Sequence, residues 1–177
     1  MTEPADPAEA APAWAYEVVS IAPYDPAWPA RAAALIASLE PVLPGAVEHV
    51  GSTAVPGLPA KPIIDLQALV ESFEDVDALI PALAAQGWHH VPPELDERPY
   101  RRFFVHVVAD SRNAHLHLMQ TGEPRWREQL RFRDRLRSDD RLRTEYAAVK
   151  QELAQAHGND RERYSAAKAA FITDAMA

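Results

Sequence analysis

At 177 residues with a formal charge of −8, the chain has room for one compact domain with a proper core and too little for two large ones. The acidic balance argues against sequence-independent grip on DNA or RNA, which depends on cations neutralising phosphates. With no cysteine, disulfides and thiolate metal sites are excluded, and with no run of about 20 apolar residues to span a membrane, a soluble cytoplasmic protein is the expectation.

Residues 1–13, MTEPADPAEAAPA, have no basic start and no apolar core, so they do not read as a secretory signal. Rich in Ala, Pro and acids, they offer little surface to bury against the entropy of ordering and are expected to form a mobile tail. A single domain is then expected over 14–177. Tyr16 to Ile21 reads as a first strand. After the Tyr24, Asp25, Pro26 turn, residues 27–40 place Trp28, Ala32, Leu35, Ile36 and Leu39 at helical spacing.

Ala46 to Val50 reads as a short strand ending at Gly51, and Ile63 to Val70 as a nearly continuous apolar strand buried on both faces. Glu74 to Gln86 has a helical apolar face stopped by Gly87. Residues 101–108, RRFFVHVV, and 113–120, NAHLHLMQ, read as an antiparallel hairpin around an Asp110 to Asn113 turn. Arg125 to Arg137, Leu142 to Gln155 and Arg161 to Met176 follow as three helices. Strands first and helices last predict an α+β (α/β-like) fold with a helical C-terminal end.

Three constellations carry chemistry. The Gly51, Ser52, Thr53 turn offers backbone freedom and two hydroxyls able to ligate phosphate oxygens, although such a turn also serves simply to end a strand. It is no Walker loop, because Gly57 and Lys61 are wrongly spaced and Pro62 stands where a magnesium-binding hydroxyl would be. Asp65 is a carboxylate inside an apolar run, and its desolvation must be offset by a partner, hydrogen bonds or a cation. Lys61 lies about 13 Å away along an extended strand, too far to pair, while Arg101 or Arg102 would serve as ordinary partners.

His115 and His117 share a strand face with Cα atoms about 7 Å apart. With Asp65 they would supply three positions of a zinc or manganese site if the two strands are neighbours; otherwise they are two solvent-facing histidines. Arg98, Arg101 and Arg102 are candidate anion binders through the planar guanidinium fork. The basic run Arg125 to Arg143 is interleaved with acids and reads as a solvated helix face with internal ion pairs. Tyr164 and Lys168 imitate a dehydrogenase pair without the dinucleotide loop, so helix packing explains them better.

Taken together, SIAPYDPAWPARAAALIASLE, EHVGSTAVPGLPAKPIIDLQ, RRFF, HLHLMQTGEPRWREQLRFRDRLR, EYAAVKQELA and YSAAKAAFI resemble the GrpB family, whose members look like small relatives of the nucleotidyltransferase superfamily. The resemblance implies a mixed sheet flanked by helices, with Gly51 and Ser52 matching the superfamily's phosphate-binding pair and Asp65 the first acid of its Asp-x-Asp or Asp-x-Glu element. Gln67 breaks that pair, which puts two-metal nucleotidyl transfer in doubt. The resulting expectation is nucleotidyl or phosphoryl transfer with a divalent metal (Mg, Mn or Zn) on Asp65, His115 and His117. Gly51, Ser52, Thr53, Lys61 and Arg102 would grip the phosphates of a nucleotide or phosphorylated small molecule. The alternatives are a degenerate nucleotide-binding module, or an accessory domain for a partner enzyme, since the family's domain is sometimes fused behind dephospho-CoA kinase.

Overall fold

A computed structural model describes residues 14, 20–157 and 161–176. The expected tail over 1–13 and most of the expected strand over 16–21 lie outside the described residues. The chain continues into an isolated bridge between Ala22 and Ala60 and then into α1, Trp28–Leu39. The Asp25 carboxylate accepts from the Ala27 amide at 2.8 Å, closing the entry turn, and Trp28, Ala32 and Leu39 form the buried face.

Among the described residues five strands make one mixed sheet: β1 Val47–Val50, β2 Ile64–Val70, β3 Trp88–Val91, β4 Arg101–Val108 and β5 Ser111–Gln120, in the order β1-β2-β5-β4-β3. Among the described residues only the β2 and β5 pairing is parallel. The apolar run of β2 has its physical reason here, because β1 and β5 cover both of its edges and helices cover its faces. The hairpin is tighter than expected: β5 begins at Ser111, and the turn is Ala109 and Asp110, both at positive φ (48° and 58°), as a two-residue hairpin with the right twist requires. The short edge strand β3 was not anticipated.

Between β2 and β5 the chain forms α2, Phe73–Ala84, which starts one residue before the expected segment. Ser72 caps it, its hydroxyl accepting from the Glu74 amide at 3.1 Å while Asp75 accepts from the Ser72 amide at 3.2 Å. A one-turn helix, α3 Pro93–Asp96, precedes β4. Three helices close the chain: α4 Pro124–Ser138, α5 Asp140–His157 and α6 Arg161–Met176. Among the described residues no helix is long and apolar enough to cross a membrane.

The core has two parts. Strand alternation sends Ile64, Leu66, Ala68, Phe104, Leu116 and Leu118 to one sheet face, where they pack with α1 and α2 residues such as Trp28, Leu39, Val76 and Leu83. A second cluster joins Val55 and Leu58, from the loop after the Gly51 turn, to Leu136, Leu142 and Tyr146 with Phe132 and Phe171. Helices α4 to α6 are therefore fastened to the loop between β1 and β2. The opposite sheet face carries Asp65, Gln67, His115 and His117.

Candidate functional site

Because β2 and β5 are parallel neighbours, Asp65 pairs with His115 and Gln67 with His117. The condition for a shared site is met by register alone. One Asp65 oxygen, Oδ1, lies 2.9 Å from His115 Nδ1 and 3.8 Å from His117 Nε2. One ligand atom from each of the three residues falls within 4.8 Å of the others. Phe103 of β4 stands against both imidazoles, its ring centroid 5.1 and 5.2 Å from theirs, and so walls the cluster on one side. The Asp65 side chain keeps about a third of its surface open, which leaves an approach for a ligand.

Burial works to raise the Asp65 carboxyl, but the hydrogen bond from His115, with the His117 ring close by, outweighs it and holds the group well below the usual carboxylate range. His117 is held below its ordinary value, first by burial and then by the Arg101 charge. The site at neutral pH is thus an anionic carboxylate beside a neutral His117.

The Gly51 turn belongs to the same place. Gly51 has φ 70° and ψ −168°, a backbone region nearly closed to other residues. A Cβ there would stand 2.6 Å from Asp65 Oδ2, so the missing side chain is the space in which the carboxylate sits. Ser52 opens a short 3-10 turn and hydrogen-bonds Tyr146 of α5, whose hydroxyl burial pushes well up and so keeps protonated. Thr53 is used internally: it is buried, donates to the Ile63 carbonyl at 3.5 Å, and meets His49 Nε2 at 3.0 Å. Burial, more than the opposing pull of Asp65, lowers His49 to about 4, so this imidazole is neutral and donates to Thr53.

The remaining expected residues are not gathered at the cluster. Arg102 pairs with Leu118, three positions from His115, so alternation puts it on the α1 and α2 face, where its guanidinium stacks 4.0 Å from the centroid of Phe73. It does not converge with Asp65. The Lys61 ammonium lies 5.6 Å from the Tyr164 ring on α6. Arg98 and Arg101 bind Asp96 instead of Asp65. Tyr164 is buried and Lys168 lies 5.9 Å over its ring, consistent with helix packing.

Gln67 is neither a ligand nor an empty position. It is fully buried, and its Nε2 donates to the Trp126 carbonyl at 3.1 Å, tying the start of α4 to the sheet. The same helix uses two arginines inward: Arg133 pairs with Glu48 at 2.9 Å and donates to the His49 carbonyl at 3.0 Å, and Arg137 Nε donates to the Ala54 carbonyl at 2.9 Å. The basic run is therefore only partly a solvated face. Internal pairs such as Arg141 with Glu145 at 2.8 Å account for the rest.

Sequence reasoning missed Tyr146 and Lys150. Lys150 of α5 is buried, its ammonium donating to the Pro59 carbonyl and lying 4.8 Å from the Tyr146 ring. Burial, helped by the Lys168 charge, lowers it to about 7. The available signal was a lysine four residues after a tyrosine on the apolar side of a helix.

The donor types fit a divalent cation of the zinc or manganese kind better than magnesium, because imidazole nitrogen beside a carboxylate is a mixed set whereas magnesium prefers oxygen alone. The Gly51 cradle holds the carboxylate in place, and the third of its surface left open gives a cation its approach.

A family model described as GrpB protein matches residues 18–177. A UPF0157 protein of Pseudomonas aeruginosa is 35% identical over 163 residues, which cover 85% of this chain and 63% of that relative. A UPF0157 protein of Halalkalibacterium halodurans is 35% identical over 161 residues, covering 89% of this chain and 80% of the relative. A dephospho-CoA kinase of Mycolicibacterium paratuberculosis is 32% identical over 182 residues, covering 89% of this chain and 45% of the kinase. The chain thus spans less than two thirds of the Pseudomonas relative and under half of the kinase. Among solved structures, conserved protein GrpB from Enterococcus faecalis superposes with a TM-score of 0.74 at 28% identity, covering 89% of this chain and 100% of that one. The Cid1 poly(U) polymerase with Mg 3′-dATP bound superposes with a TM-score of 0.53 at 16% identity over 76% of this chain and 43% of that one, a likeness of fold.

Proposed function

The chain belongs to the GrpB family, and on that premise we propose that it is a cytoplasmic nucleotidyltransferase-like protein, a single domain over 14–177, that engages a nucleotide or phosphorylated metabolite through a divalent cation centred on Asp65. The observation that carries the reading is the convergence of Asp65, His115 and His117 within 4.8 Å beside a glycine whose Cβ would overlap the carboxylate. A solved protein of like fold binds magnesium and a nucleotide, which supports the ligand class.

Each residue has a role that its surroundings permit. Asp65, kept anionic, supplies the negative charge of the cation site, and His115 lies within reach beside it. A bound cation would neutralise phosphate charge and polarise a phosphoryl oxygen. Ser52, oriented by Tyr146, and the turn that begins at Gly51 face the phosphates, while Lys61 stands further along the same loop. Thr53 serves by bracing the turn.

A second reading is favoured by Gln67: with the superfamily's second acid replaced by a residue that docks a helix, the site would hold its ligand without transferring a nucleotidyl group. The kinase relatives suggest in turn that such a domain supports a partner enzyme. Titration calorimetry with nucleoside mono-, di- and triphosphates, with and without magnesium, manganese or zinc, tests the proposal. Metal-dependent binding is expected. Product formation under those conditions selects the enzyme, binding without product selects the module, and no binding at millimolar nucleotide with any metal overturns both.

A further inference from the structure

Behind the cluster lies a buried ion pair that the nucleotide reading does not use. Asp96, at the end of α3, and Arg101, at the start of β4, are both buried. They meet bidentately, Nε 2.8 Å from Oδ2 and Nη2 2.5 Å from Oδ1. One edge of the guanidinium, with two of its three nitrogens, is therefore committed to Asp96. The third nitrogen, Nη1, donates to His117 Nδ1, and the guanidinium carbon lies over the Phe103 ring, 4.2 Å from its centroid.

This geometry decides which nitrogen of His117 carries the proton. A guanidinium has five donors, no acceptor, and is not deprotonated in proteins. The nitrogen facing it must therefore present a lone pair, so Nδ1 is unprotonated. A neutral imidazole carries one proton, which leaves it on Nε2, the atom that points to Asp65 Oδ1 at 3.8 Å. For Nε2 to ligate a cation, the ring would have to become an imidazolate or Arg101 would have to leave a buried carboxylate that it binds through two hydrogen bonds.

We propose that Asp96 and Arg101 are a positioning pair that locks His117 in the Nε2–H tautomer, so that His117 donates a hydrogen bond to a phosphoryl oxygen of the ligand while Asp65 and His115 carry the cation, His115 passing to its own Nε2–H tautomer to free the Nδ1 that donates to Asp65 in the metal-free protein. The assignment rests on the reading of a metal and phosphate site at Asp65 and gives its two imidazoles different work. The parts are consistent with one another. Asp96 offsets the arginine charge, so the cation site does not face an uncompensated positive group. A donor polarised by an arginine suits an anionic oxygen. The 3.8 Å gap to Asp65 is longer than a hydrogen bond, as expected of a proton held ready for another acceptor.

The test is long-range proton–nitrogen correlation NMR on isotope-labelled, metal-free full-length protein, with His117 assigned by comparison with His117→Gln. The proposal expects the Nε2–H tautomer in the wild type and its loss, to a mixture with Nδ1–H, in Arg101→Met. Asp96→Asn, which frees Arg101 without removing it, is expected to give the same mixture in a chain that keeps its guanidinium; circular dichroism establishes that each variant is folded. A dominant Nδ1–H form in the wild type overturns the proposal, and needs no variant to be seen. Zinc added to the wild type is expected to move the His115 ring nitrogens and leave the His117 Nε2 proton in place; loss of that proton makes His117 a ligand and overturns the division of roles. Because the tautomer is read without metal, it stands or falls separately from whether the site takes a cation.

Discussion

Replacing Gln67 by glutamate restores, on paper, the second acid that the superfamily pattern calls for. The structure predicts damage instead. Gln67 is fully buried and donates from Nε2 to the Trp126 carbonyl at 3.1 Å, so Gln67→Glu would set a carboxylate oxygen against a carbonyl oxygen with no proton between them. On the β1 side its register partner is Glu48, which adds a like charge across the ladder. Leaving a buried carbonyl unpaired costs about 1–3 kcal/mol, and an unpaired buried charge raises that to about 3–5 kcal/mol. The protein can escape part of this by protonating the new acid, at about 1.4 kcal/mol for each unit by which the folded pKa rises. We expect a loss of about 3 kcal/mol at pH 7. A raised folded pKa means that the deficit shrinks as pH falls toward the range where the unfolded glutamate also protonates. Urea denaturation at pH 7 and pH 5, with a manganese titration alongside, measures both effects. A Gln67→Glu chain as stable as the wild type that binds manganese more tightly would refute the reasoning, because position 67 would then be an open ligand position.

Three further outcomes are expected. Gly51→Ala places a Cβ 2.6 Å from Asp65 Oδ2 at φ 70° and should cost at least about 1–3 kcal/mol from backbone strain alone, with loss of any metal-dependent rise in melting temperature; a metal response equal to wild type would count against the cradle. Lys150 titrates near 10.5 unfolded and about 7 folded, so the unfolded chain binds more protons between those values and stability should climb with pH across that window. The upper bound is about 5 kcal/mol at about 1.36 per unit, and Lys150→Met should flatten the climb in denaturation curves taken at pH 6 to 10. Ser72→Ala removes the α2 cap and should cost about 1 kcal/mol, without changing metal binding.

How far the sequence speaks for this fold depends on which forces set each part. The helix beginning at Trp28 and the strand ending at Val70 were legible because one has a single apolar stripe and the other is apolar throughout. Trp88 to Val91 was not, since four residues with two adjacent histidines show no alternation long enough to register, and β4 alone makes it a strand. The hairpin turn was misplaced because Ala109 and Asp110 take positive φ without the glycine that usually marks it. At the site, parity along the chain put His115 and His117 on one face. Their meeting with Asp65 depends on a parallel pairing across 50 residues that no local pattern encodes. Parity also separates Arg101 from Arg102, since one step along a strand reverses the face. Gln67, legible as a missing acid, needed the Trp126 carbonyl to explain what it does instead.

Manganese binding followed by electron paramagnetic resonance, with and without a nucleoside triphosphate, in the wild type and in Asp65→Asn, tests the central claim most directly. The account predicts that the wild type sequesters manganese, more tightly with the nucleotide present, and that the asparagine chain, folded but lacking the anionic oxygen beside both imidazoles, loses at least about tenfold in affinity. Equal affinity in the two proteins, or manganese left free at millimolar wild-type protein, would contradict it.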